Sequence, residues 1–121
     1  NMKGCVPFVA ALLAGCATER AYDGPPLPAA ERALVRADPV VSAGLPVQIR
    51  IRQADGRDVG VSASSVELPP GKRAIVVDCR IAESASVRRF TVEAELAAGK
   101  RYRLIARTSA RNCEAVELIG D

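Results

Sequence analysis

Histidine is absent from the 121 residues, and tryptophan with it. Without imidazole the chain lacks the side chain that most often serves as general base, nucleophile activator or metal ligand near neutral pH. No serine or cysteine can then belong to a histidine-based triad. The four cysteines, at positions 5, 16, 79 and 113, form no CxxC pair. Neither a thioredoxin-like redox site nor a zinc knuckle is indicated, and no metal or cofactor is expected. Aromatic residues make up 3% of the chain, two phenylalanines and two tyrosines. Phe8 and Tyr22 fall outside the expected domain, so aliphatic side chains must fill the core. With Phe90 and Tyr102 assigned to that core, no aromatic platform is left for stacking a sugar ring. No apolar run approaches the roughly 20 residues of a permanent membrane-spanning helix. The net charge of +3 is too weak to argue for nucleic acid.

What is present starts with a secretory leader. Asn1 precedes Met2, from which the leader is read. Lys3 supplies a positive start and residues 6–13 an apolar stretch of secretory length. That stretch runs into Leu13-Ala14-Gly15-Cys16, which resembles the lipobox read by the lipoprotein-processing enzymes of bacteria. The resemblance implies that the Cys16 thiol receives diacylglycerol and that the chain is cut before it. Residues 1–15 would then leave, and the net charge would fall from +3 to +2 with the loss of Lys3. Ala17 stands where an aspartate would hold a Gram-negative lipoprotein at the inner membrane. By the same resemblance the destination is the outer membrane, at its periplasmic face. Several acyl chains on one cysteine exceed the marginal hold of a single one.

Residues 16–30 read as the lipidated cysteine followed by an extended tether. Asp23-Gly24-Pro25-Pro26-Leu27-Pro28 removes backbone donors and favours a polyproline-like path. At about 3.1 Å per residue it could hold a domain some tens of ångströms off the membrane. Residues 31–121 form the expected domain.

Within that domain the apolar residues recur at every second position, the period of a half-buried strand. Val47, Ile49 and Ile51 alternate with Gln48, Arg50 and Arg52; Ile75, Val77, Cys79 and Ile81 share one side of another segment. Phe90, Val92, Ala94 and Leu96 alternate with polar residues, as do Tyr102, Leu104 and Ala106 with arginines. Residues 33–37 open the series after a helical turn, Val66 and Leu68 form a short segment, Val59 and Val61 another, and residues 114–119 close it. Asp55-Gly56 and Pro69-Pro70-Gly71 mark turns. The expected fold is all-β, a small antiparallel sandwich or partly open barrel of about six to seven short strands. A hairpin is expected across residues 97–99, pairing Glu95 with Arg101, Ala94 with Tyr102, Glu93 with Arg103 and Val92 with Leu104. In that register Gly99 takes the left-handed position that a three-residue loop requires.

Two acid pairs were candidates for chemistry. Glu93 and Glu95 stand about 7 Å apart on one strand face, a spacing open to glycoside hydrolysis. Arginines opposite them would hold both ionised, which suits neither to donate a proton. Asp55 and Asp58 flank a glycine turn without enough further ligands for calcium. No catalytic residue is assigned, and the chain is not expected to be an enzyme.

The distinctive surface feature is arginine. Arg50, Arg52, Arg80, Arg89, Arg101, Arg103 and Arg107 face outward against only Asp78, Glu93 and Glu95 among the assigned strand positions. Six of them, Arg50, Arg52, Arg89, Arg101, Arg103 and Arg107, are the candidate face for an anionic partner. The alternative is an ordinary solvated sheet face in an arginine-rich protein.

Three stretches carry a family resemblance: Tyr22-Asp23-Gly24-Pro25-Pro26-Leu27-Pro28, Leu68-Pro69-Pro70-Gly71-Lys72, and Ala98-Gly99-Lys100-Arg101-Tyr102-Arg103-Leu104. Together they resemble small proteobacterial lipoproteins, and the last two are similar to PEGA-type β-sandwich domains. The resemblance implies the sandwich and supplies no catalytic residue.

Cys5 would leave with the leader and Cys16 carry lipid on its sulfur. Cys79 and Cys113 are then the free pair in an oxidising compartment, and a disulfide between them is expected. Two functional classes stay open. One is a non-enzymatic envelope lipoprotein that contacts another envelope component, a protein complex or the cell wall. The other is a binding module for carbohydrate or anionic lipid.

Overall fold

A computed structural model describes residues 18–38, 40–42, 45–61, 63–81, 87–109 and 112–121. Cys16 and the leader lie outside the described residues. Ten strands are formed among the described residues, and four of the five longest fall where the alternation of apolar residues is longest. In chain order they are β1 (Thr18–Arg20), β2 (Ala33–Arg36), β3 (Val40–Ser42), β4 (Leu45–Ala54), β5 (Arg57–Asp58), β6 (Ser65–Leu68), β7 (Gly71–Ile81), β8 (Arg88–Leu96), β9 (Arg101–Ser109) and β10 (Asn112–Gly120). A single 3-10 turn, Ala29–Glu31, precedes β2 where a helical turn was expected.

The strands pack as a sandwich of two sheets. The first runs β1-β6-β2-β9-β10, and the second runs β3-β4-β7-β8 with β5 added on β4. Val35, Val66, Leu68 and Leu104 point inward from the first sheet, and Ile49, Ile51, Ile75 and Val77 meet them from the second. All eight are buried, as period-two burial requires. Phe90 and Tyr102 pack against this core and are partly covered. Asp55 and Gly56 take φ of +50° and +80° between Ala54 and Arg57, the two-residue turn their sequence predicts.

Cys79 on β7 and Cys113 on β10 lie at bonding distance, with sulfurs 2.03 Å and Cα atoms 6.2 Å apart. Both side chains are buried, and the bridge joins the second sheet to the edge strand of the first.

The hairpin expected across residues 97–99 does not form. β8 pairs with β7 in the second sheet, while β9 lies in the first sheet between β2 and β10. Residues 97–100 instead arch from one sheet to the other. Gly99 N donates to Arg32 O at 2.8 Å and Leu34 N to Lys100 O at 3.1 Å, which fastens the arch to the start of β2. Gly99 is left-handed, with φ +75°, and a Cβ there would stand 3.2 Å from Ala30 O. The glycine is needed as expected, but for crossing between sheets rather than for turning within one. Glu95 and Glu93 accordingly sit opposite Lys72 and Ala74, not Arg101 and Arg103.

The first sheet is also mixed rather than antiparallel. β1 runs parallel to β6, and β2 parallel to β9. A parallel pair needs a long connection, and here the whole second sheet supplies the one between β2 and β9.

The first described part of the expected tether, residues 18–21, belongs to the sandwich. Thr18, Glu19 and Arg20 pair with Ser65, Val66 and Glu67, and Ala21 is buried in the core. Glu19 accepts a hydrogen bond from Gly60 N at 2.8 Å, and Tyr22 Oη accepts one from Leu27 N at 2.8 Å. The packed unit therefore includes β1, ahead of residue 31, while Pro25, Pro26 and Pro28 stay exposed.

Candidate anion-binding face

The outer side of the second sheet collects four of the arginines. Alternation turns Gln48, Arg50 and Arg52 outward on β4, Asp78 and Arg80 on β7, and Arg89 and Thr91 on β8. The ladder sets Gln48 opposite Arg80, and places Asp78 between Arg50 on one side and Arg89 on the other. A register shift between Ile51 and Gln53 leaves Arg52 as the extra residue of a bulge. Its Nε reaches to 3.6 Å from Asp78 Oδ2.

Asp78 is the acid at the centre of this group. Arg89 holds it in a two-point contact, Nε to Oδ1 at 2.8 Å and Nη2 to Oδ2 at 3.2 Å. These hydrogen bonds hold the Asp78 carboxyl below its ordinary value of 3.8, assisted by the charges of Arg89, Arg52 and Arg50 against partial burial. The same contact raises Arg89 further. Among the described residues Arg50 Nε is buried and meets no acceptor, and Arg80 makes a long bond, 3.4 Å, to Gln48 Oε1. Asp78 thus stands among four guanidinium groups, and with Asp58 held by Gln53 beside Arg50 and Arg52 the local charge is still positive.

Two shallow depressions lie over this cluster. One, of about 550 Å³, is lined by Arg50, Arg52, Asp58, Val61, Arg89 and Thr91 among others. The second, of about 220 Å³, is lined by Gln48, Arg50, Asp78, Arg80 and Val87. They share Arg50. Val61 and Val87, 76% and 49% exposed, are the exposed large apolar side chains among the described residues. Each sits at one of the two depressions.

Arg101, Arg103 and Arg107 belong elsewhere. They lie on β9 in the first sheet, so the single basic face expected from the sequence is divided between opposite sides of the sandwich. On that other side acids are close at hand: Arg107 bonds Glu117, Arg36 bonds Asp38 and Asp121, and Arg32 lies 3.5 Å from Glu67. The candidate site is therefore Arg50, Arg52 and Arg89, joined by Arg80 and by the two valines. Alternation marked Arg80 as outward. Val61 carried no signal, because its segment read as a buried strand; β5 is instead Arg57–Asp58, and only Val59 of the two valines is buried.

The Asp78 arrangement makes a pH prediction. A carboxyl whose folded pKa is lowered stabilises the fold above its unfolded value, and that contribution disappears as pH falls through the folded value. Thermal unfolding of the wild type should therefore lose stability from about pH 4 downward partly through this group. Asp78→Asn should lower stability at pH 7 by about 1–2 kcal/mol, the scale of hydrogen bonds to a charged group, and flatten the acid limb. Parallel pH profiles for the two proteins between pH 5 and 2 would contradict this role.

Compared with protein-family models, with curated proteins and with solved structures, the chain matches none.

Proposed function

We propose that the chain is a non-enzymatic lipoprotein of the bacterial envelope. Lipid on Cys16 holds it at the periplasmic face of the outer membrane, and its sandwich contacts another envelope component through the second sheet. The observation that carries this reading is the outer face of that sheet, where Arg50, Arg52, Arg80 and Arg89 gather around Asp78 and outnumber the acids beside them. The leader and Leu13-Ala14-Gly15-Cys16 support the location.

β1 begins two residues after Cys16, and two extended residues span at most about 7 Å, so lipid on Cys16 would hold the β1 edge of the sandwich close to the membrane. The alternative, a site for anionic lipid, draws on the same guanidinium groups and on the two exposed valines. A carbohydrate site on this face lacks a platform, because no aromatic side chain is among the described residues lining either depression.

A photo-crosslinking side chain placed at Thr91, in the larger depression, tests the reading in intact cells. The expected result is one dominant protein adduct that fades when Arg50 and Arg52 become glutamine. A crosslinker at Ile105, on the opposite sheet, should not give it. Absence of any protein adduct at Thr91, or the same adducts from both positions, would contradict the reading.

A further inference from the structure

We infer that the arginine face of the second sheet takes an extended acidic peptide segment of its partner, with two carboxylates flanked by apolar side chains. This rests on the reading above and names the chemistry of the contact.

The two depressions join at Arg50 and together cross the strands, from Val61 beside β4 to Val87 at the start of β8. β4 and β8 are the two neighbours of β7, so the step from the β4 arginines to Arg89 on β8 measures about 10 Å at ordinary strand spacing. An extended peptide advances about 3.3 Å per residue and covers that distance in three or four residues. Carboxylates at alternate positions of such a peptide stand about 7 Å apart on one side.

Asp78 decides what form the anion takes. It lies on β7, between Arg50 and Arg52 on β4 and Arg89 on β8. A single compact dianion seated at the centre would stand directly over this carboxylate and be repelled by it. Two separate carboxylates straddle it, one toward Arg50 and Arg52 and the other toward Arg80 and Arg89. Val61 and Val87 mark the two ends of the path, where apolar side chains of the peptide would cover the ion pairs and strengthen them by excluding water.

The test uses the mature lipidated chain in a non-ionic detergent and a fluorescein-labelled peptide, Ala-Val-Glu-Ser-Glu-Val-Ala, followed by anisotropy. The Glu→Gln version of the peptide should bind about tenfold more weakly, the scale of two partly screened charge contacts. Arg50→Gln with Arg52→Gln should weaken the acidic peptide by a similar factor. Arg101→Gln with Arg107→Gln, on the opposite face, should change it less than twofold. Thermal midpoints are recorded alongside; if the Arg50/Arg52 double variant unfolds, Arg52→Gln alone, whose side chain is 39% exposed, carries the test. Equal binding of the acidic and amide peptides, or indifference to the β4 arginines, would overturn the inference. So would displacement of the peptide by phosphatidylglycerol vesicles or by inorganic phosphate at concentrations where the acidic peptide itself does not compete. A groove that binds the peptide while Thr91 crosslinks to nothing in cells would sink the functional reading and keep the site. A cellular adduct without peptide binding would do the reverse.

Discussion

Replacing Cys79 and Cys113 together by alanine should lower the unfolding free energy by roughly 3–4 kcal/mol on the chain-entropy model. The bond spans 34 residues, and its loss frees the unfolded chain to sample conformations that the closed loop forbids. For a domain of this size such a loss is a large share of the total stability, and it corresponds to a fall in Tm of roughly 15–25 °C. The location adds to the effect. β10 is hydrogen-bonded only to β9 and ends the first sheet, so the bridge is what fixes that edge covalently to β7. Local loosening of β10 should therefore accompany the global change, read as faster amide exchange from Cys113 toward Val116. Reduction of the wild type with dithiothreitol should reproduce the shift. A double variant melting within 3 °C of the wild type would mean that the bridge does not stabilise the folded state.

The strands could be read from the sequence because alternation of apolar residues is a direct consequence of burying one side of a sheet. Ile75, Val77 and Cys79 sit on the inner side of β7, and Leu104 on that of β9, as the spacing required. Which strands become neighbours was not legible in the same way. A period of two decides which side of a strand faces the core, and both a hairpin and an inter-sheet arch across residues 97–100 satisfy it. The charge match between Glu93, Glu95 and the arginines of β9 favoured the hairpin. Exposed ion pairs are worth too little to choose a topology, and backbone hydrogen bonds from the arch to Arg32 and Leu34 chose the other.

The division of the arginines follows from that arch. Once β9 leaves β8 for the first sheet, Arg101, Arg103 and Arg107 go with it, and the face that remains is smaller and more concentrated. Asp78 and its neighbours were legible as outward residues; their convergence needed the register of β4, β7 and β8. The segment before β2 was misread for a different reason. Thr18-Glu19-Arg20 has no apolar alternation, and its place in the sheet comes from backbone pairing with β6 and from a single buried side chain, Ala21. Neither leaves a mark in composition, whereas the prolines that follow do.

Anchoring at Cys16 is what would make this sandwich an envelope protein, and it is also the step with an all-or-none effect. Cells making the wild-type chain and Cys16→Ala are grown with radiolabelled or clickable palmitate, fractionated, and the protein's intact mass is measured. The wild type should incorporate the label, pellet with the outer membrane, and have a mass that begins at Cys16 and exceeds the bare polypeptide by its acyl groups. Cys16→Ala should take up no label and keep the leader uncut. A wild-type chain that is recovered without label, soluble in the absence of detergent, or with a mass matching unmodified polypeptide would contradict the membrane-tethered reading outright.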